Sequence, residues 1–175
     1  MTGTIDASDG IFIQIAIEAS GWPYEETLLA FCGKTIAAAQ AYLVEHAGQR
    51  FRRGGSELSV VFADDAVMRT LNSRWRARDQ STNVLSFPAR ALHPGQEPGP
   101  LLGDIVLARE TIAREAAELS IDFDNHLIHL LVHGFLHLLG YDHVVDADAG
   151  VMENHETRIL AILDLSDPYE NSISV

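Results

Sequence analysis

Cysteine is almost absent from this chain: 175 residues carry one, Cys32. A single thiol cannot close an intramolecular disulfide, and it cannot build a thiolate-rich structural zinc site. Both are excluded, and a reducing cytoplasm is the expected compartment. Basic residues are also scarce, 12 Lys and Arg against 25 Asp and Glu, for a formal charge of −13. That balance favours solubility and argues against indiscriminate, tight binding of nucleic acid. No apolar run approaches the roughly 18–20 residues of a transmembrane helix. The opening MTGTIDASDG lacks the basic and apolar regions of a secretory signal. A membrane protein, a disulfide scaffold and a coiled coil are therefore not expected. No glycine-rich phosphate loop is present, and no serine has the setting of a nucleophilic triad. What is there, 47% hydrophobic and 21% charged residues, suits one soluble domain with an ample core.

Residues 11–17 (IFIQIAI) are short, apolar and β-branched at alternate positions, and predict a first strand. The pattern turns helical over 22–47, with Pro23 near the first turn. Gly54 and Gly55 break the chain before a strand at 58–62, and Asp64 is placed to cap a short helix running to about Arg74. A brief strand at 84–87 stops at Pro88. Residues 94–100 (PGQEPGP) predict a loop. A strand over 102–107 and a helix over 110–119 follow. The most apolar stretch, 127–139, is long enough for a helix and apolar on nearly every side, so it is expected at the centre of the domain. Gly140 is placed to end it in a left-handed conformation. A last helix is expected over 151–163 and a tail over 164–175. The absence of a strict βαβ rhythm predicts an α+β fold: one domain over 1–163, with a small mixed sheet packed against helices.

Three of the eight histidines lie in HGFLHLLGYDH, residues 133–143. A four-residue step puts His133 and His137 on one helix face, about 6 Å apart along the axis. Two imidazoles so placed can converge on one ion at a Zn–N distance of about 2.0–2.1 Å, and His143 follows beyond a glycine that can turn the chain back. Three histidines with one open position describe a catalytic zinc site rather than a structural one. A ladder of His129, His133 and His137 also shares a face, but its ends are about 12 Å apart, too far for one tetrahedral ion. His129 is therefore read as a core residue or one that orients a ligand, and His46, His93, His126 and His155 as ordinary polar positions. The spacing also matches the metzincin metallopeptidase pattern, except that Gly134 stands where a peptidase keeps its general-base glutamate. Peptide hydrolysis is not supported.

The stretch HLLVHGFLHLLGYDH (129–143) resembles the YbeY family of bacterial endoribonucleases, also described as ribosomal RNA maturation factors. Asn72, Trp75, Arg76 and Asp79 leading into TNVLSFP (82–88) are similar to a second family signature. Gly103-Asp104-Ile105 and Asp167-Pro168-Tyr169 resemble two more. The resemblance implies a compact α+β domain holding one zinc through His133, His137 and His143. It implies cleavage of single-stranded RNA in small-subunit (16S) rRNA maturation and ribosome quality control, with the family's important arginine at Arg76. Ser81 departs from the family, which often has proline there.

Phosphodiester cleavage requires neutralising charge on phosphate oxygens, a task that suits arginine's planar fork. Seven of the twelve basic residues lie between Arg50 and Arg78: Arg50, Arg52, Arg53, Arg69, Arg74, Arg76 and Arg78. Arg76 is expected to grip the scissile phosphate. General-base candidates are Asp104, Asp142, Glu153 and Glu156, with Asp142 also able to orient a neighbouring histidine; Ser86 is a further hydroxyl within the strand. The acidic chain predicts weak, strongly salt-sensitive affinity for naked RNA. Productive placement would then come from the small ribosomal subunit or a ribosome-assembly protein. Two rival readings are a metal-dependent peptidase or esterase, and an assembly factor whose zinc is structural.

Overall fold

The computed structural model describes residues 2–5 and 10–170. In chain order the elements are β1 (Thr2–Ile5), β2 (Ile11–Ile17), α1 (Glu25–Ala47), β3 (Ser56–Ala63), α2 (Asp65–Arg76), β4 (Val84–Pro88), β5 (Leu101–Ala108), α3 (Arg109–Leu119), α4 (Phe123–Leu138) and α5 (Asp146–Ile162). The strands form one sheet in the order β1-β2-β3-β5-β4. β2, β3 and β5 run parallel, while β1 and β4 close the two edges antiparallel. The fold is α+β with a mixed sheet, as the sequence predicts.

Alternation along the strands divides the apolar side chains between two faces. Ile11, Ile13 and Ile15 of β2, Leu58, Val60 and Phe62 of β3, and Ile105 and Leu107 of β5 join α1, α4 and α5 in the main core. Leu85 and Val106, one position out of phase, pack with Met68 of α2 in a smaller core on the opposite face. By length and composition α1 could cross a membrane. Here its stripe of Leu28, Cys32, Ile36, Ala39 and Leu43 is buried in the core. That burial pushes the Cys32 thiol up to about 12 and leaves it unreactive.

The central helix α4 is buried on almost every side, including Leu127, Leu130, Leu131, Val132, Phe135, Leu136 and Leu138. It begins at Phe123 rather than 127 because Asp122 caps it, its Oδ1 accepting from the amides of Asp124 and Asn125 at 2.9 and 3.3 Å. Asp64 caps α2 in the same way, accepting from Val67 N at 2.8 Å. Gly140 has the positive φ of 91° expected of it, and a Cβ there would collide with the Leu92 carbonyl. Strand β1 was not foreseen, and α5 starts five residues before the expected 151. Residues 164–170 lie against the domain. Leu165 packs on the core, and Asp167 Oδ1 accepts from Thr157 Oγ1 at 3.0 Å. Residues 171–175 of the expected tail lie outside the described residues.

Candidate metal centre

Helix α4 carries His133 and His137 on one face, and the turn at Gly140 brings His143 back over them. The three ring centroids are 4.5 Å (133–137), 4.9 Å (137–143) and 5.4 Å (133–143) apart. One ligand nitrogen from each lies within 4.8 Å of the other two. The structure thus brings together all three histidines named from spacing.

Hydrogen bonds behind the rings fix their tautomers. His133 Nδ1–H donates to Glu156 Oε1 at 2.5 Å, and His137 Nδ1–H donates to the Tyr141 carbonyl at 3.0 Å. Both acceptors lack a proton of their own to offer, so each Nε2 is left with a lone pair. Those two Nε2 atoms face each other at 3.0 Å, an arrangement that repels unless a cation lies between them. Burial, with His133 and His143 alongside, pushes His137 down to about 4, so the ring is neutral at pH 7. Three imidazoles converging in this way are the donor set of a divalent transition metal.

Glu156 is fully buried. Burial alone would raise its pKa, but hydrogen bonds from His129 and His133 hold it at about 2. Its Oε2 accepts from His129 Nε2–H at 3.2 Å and from the Tyr169 hydroxyl. His129 therefore sits behind the cluster. Glu156, one of four candidate bases, is a buried acceptor for the imidazole rings.

The other three candidate bases are placed differently. Asp142 lines the cavity, but its Oδ1 accepts from the backbone amide of His143 at 2.7 Å and so shapes the loop rather than a ring. Asp104 lies in a separate groove with Trp75 and Phe87. Glu153 is exposed and lines no part of the cavity.

The three histidines line a cavity of about 610 Å³, and Arg76, Arg78 and Gln80 line the same cavity. The seven-arginine run does not form one patch. Arg69 is paired with Asp79 at 2.7 and 2.8 Å, Arg74 lies 5.3 Å over the Trp75 ring, and Arg52 donates to the Gly55 carbonyl. Only Arg76 and Arg78 of the seven reach the cavity. Ala77 between them is left-handed, with φ of 54°, and ends α2 so that the chain turns around the cavity mouth. Asp65 anchors this segment, its Oδ1 accepting from Ser81 Oγ at 2.9 Å and from Thr111 N and Oγ1 at 3.1 and 2.6 Å.

Edge strand β4 also lines the cavity, through Val84, Leu85, Ser86 and Pro88. Ala108 N–H donates to the Asn83 carbonyl and Ala89 N–H to the Leu102 carbonyl. With the observed register this phase gives positions 83, 85, 87 and 89 to β5 and turns the amide of Ser86 to the free edge. The Ser86 hydroxyl donates to the Gly134 carbonyl at 3.0 Å, tying β4 to α4. His126, expected to be an ordinary polar position, is instead buried and donates to Glu115 Oε2 at 2.8 Å; the same carboxylate takes Asn83 Nδ2.

Fold and site together define a class: an α+β, mixed-sheet domain with a three-histidine cluster suited to a divalent metal, sharing one cavity with two arginines. A profile of the family described as Endoribonuclease YbeY matches residues 27–164. The chain belongs to that family. Among its relatives, Endoribonuclease YbeY of Rhizobium etli (strain CIAT 652) is 61% identical over 158 residues, 90% of this chain and 92% of the relative. The protein of the same name from Agrobacterium fabrum is 57% identical over 157 residues, covering 90% and 94%. The solution structure of TM1509 from Thermotoga maritima shares the fold, with a TM-score of 0.51 at 20% identity over 89% of this chain and 97% of that one.

Proposed function

We propose that this protein is a zinc-dependent endoribonuclease that cuts single-stranded RNA in 16S rRNA maturation and ribosome quality control. It would work in the cytoplasm with the small ribosomal subunit, and with a ribosome-assembly protein as a further partner. The observation that carries the reading is the meeting, in the lining of one cavity, of three converging imidazoles and two arginines. His133, His137 and His143 would hold the ion through one nitrogen each. Bound there, zinc would polarise a phosphoryl oxygen and lower the pKa of water.

The chain's own residues do the rest. Arg76 presents its fork to the non-bridging oxygens of the scissile phosphate, where charge builds during cleavage. Arg78, two residues on, meets a neighbouring phosphate. The Ser86 amide on the free edge of β4 offers a donor that reads no base, as suits positioning a nucleic-acid backbone. Gly134 puts no carboxylate at the position after the first histidine, where a metallopeptidase keeps its general base.

The test is cleavage of a single-stranded precursor rRNA and of a peptide by the same preparation, before chelation, after it, and after Zn²⁺ is returned. RNA cutting should vanish with the chelator and return with zinc, while the peptide stays intact. Arg76→Ala should lower RNA cleavage by about 10²-fold or more, the scale of a lost transition-state donor. RNA cutting that ignores the chelator, or survives Arg76→Ala at the original rate, would contradict the reading.

A further inference from the structure

We infer that Tyr169 and His129 are positioning residues for the metal centre, acting through Glu156, which holds the His133 ring with its Nε2 toward the cluster. This rests on the reading of His133 as a metal ligand. Glu156 comes from α5 and meets three donors: His133 Nδ1–H on Oε1, and His129 Nε2–H and the Tyr169 hydroxyl on Oε2. The carboxylate is fully buried, so no solvent replaces a partner that is removed. A carboxylate is the one side chain of this size that accepts at both ends. Glutamine would turn an NH₂ either toward the His129–Tyr169 pair or toward His133 Nδ1. In the second case the ring proton moves to Nε2, the nitrogen that faces His137, and His133 can no longer ligate.

Tyr169 lies thirteen residues beyond Glu156, in the segment after α5, and does not line the cavity. Asp167 clamps that segment, its Oδ1 accepting from Thr157 Oγ1 at 3.0 Å and from the Tyr169 amide at 2.9 Å. The C-terminal segment thus reaches the metal centre through a relay centred on a buried carboxylate: phenol to carboxylate to imidazole. The hydroxyl fixes Oε2, which fixes the plane of the carboxylate and hence the direction in which Oε1 receives His133.

The experiment measures Zn²⁺ affinity by chelator competition for the full-length wild type, Glu156→Gln and Tyr169→Phe, at a temperature where each is folded by circular dichroism. ¹⁵N histidine spectra of the zinc-free proteins report the His133 tautomer. Glu156→Gln should bind zinc roughly 10- to 100-fold more weakly, the range for lost partners of a ligating histidine. Tyr169→Phe should bind about fivefold more weakly, as for one net hydrogen bond, and the Nδ1–H signal of His133 should weaken in both. If Glu156→Gln does not fold, Tyr169→Phe decides alone. Wild-type affinity and tautomer in the variants would overturn the inference, and so would a second zinc per chain that Glu156→Gln loses, since Glu156 would then be a ligand. A wild type that binds no zinc would overturn the metal-centre reading as well, which separates the two failures.

Discussion

A Cβ at position 134 would sit 3.1 Å from both Ile105 Cγ2 and Ser86 Oγ. At this point α4 lies flush on the sheet, and the Ser86 hydroxyl bonds the Gly134 carbonyl across the gap. A glutamate here would push α4 off β4 and β5 and bury a carboxylate against Ile105. Gly134→Glu is expected to cost about 3 kcal/mol or more in urea unfolding and to confer no peptidase activity. A variant as stable as wild type would contradict the packing argument. The glycine was visible in the sequence as a missing base, but its reason was not, because Ile105 and Ser86 are far away in the chain. Glu156 was similarly hard to assign: its partners His129 and His133 are 27 and 23 residues away. A signal was nevertheless present. Met152, Glu156, Ile159 and Leu160 share the buried stripe of α5, and an acidic residue inside an apolar stripe implies buried partners.

Helix α2 and the segment behind it hold Arg76 and Arg78 at the cavity, and the first turn of α2 is what anchors them. Partial burial works against ionisation of Asp65. Hydrogen bonds from Thr111 and Ser81, with Arg114 nearby, outweigh it and take the pKa below its ordinary 3.8. A carboxylate with a depressed folded-state pKa adds stability above its unfolded value and loses it as pH falls through the folded one. Asp65→Asn should therefore be less stable than wild type at pH 7, by about 2 kcal/mol, and the difference should shrink as pH drops below 3.8. Urea midpoints at pH 7 and pH 3 check this, and a gap that widens in acid would refute it. Among the elements, the long periodic ones were legible: α4 through its apolar density, β2 through alternation. Strand β1 was not, since TGTI has neither alternation nor length and pairs only along β2. The early starts of α4 and α5 fall in polar runs, where capping and tertiary packing, rather than periodicity, set the boundary.

At the scale of the whole molecule, a chain of net charge −13 carries a cavity lined by two arginines. The acidic chain predicts weak, salt-sensitive affinity for naked RNA, and the structure sets its scale: of the seven clustered arginines, Arg76 and Arg78 line the cavity, while Arg69 is paired and Arg74 stacked. At roughly 0.7 per phosphate contact on single strands, two arginines predict a slope of log affinity on log salt of about −1.4, falling to about −0.7 in Arg78→Ala. Titrating a labelled oligonucleotide across salt concentrations tests this, and a much steeper slope would place RNA on another surface. The α+β class and the three-histidine cluster were both readable because they rest on local spacing. The distribution of charge was not, because it depends on which side chains find partners after folding. The central claim is a zinc ion held by three imidazoles with one position left to the substrate, and X-ray absorption at the zinc edge of the loaded protein tests it most directly. Three imidazole nitrogens at about 2.0–2.1 Å and one exchangeable oxygen ligand are expected. A fourth ligand from the protein that does not exchange, or zinc bound without imidazole scattering, would contradict it.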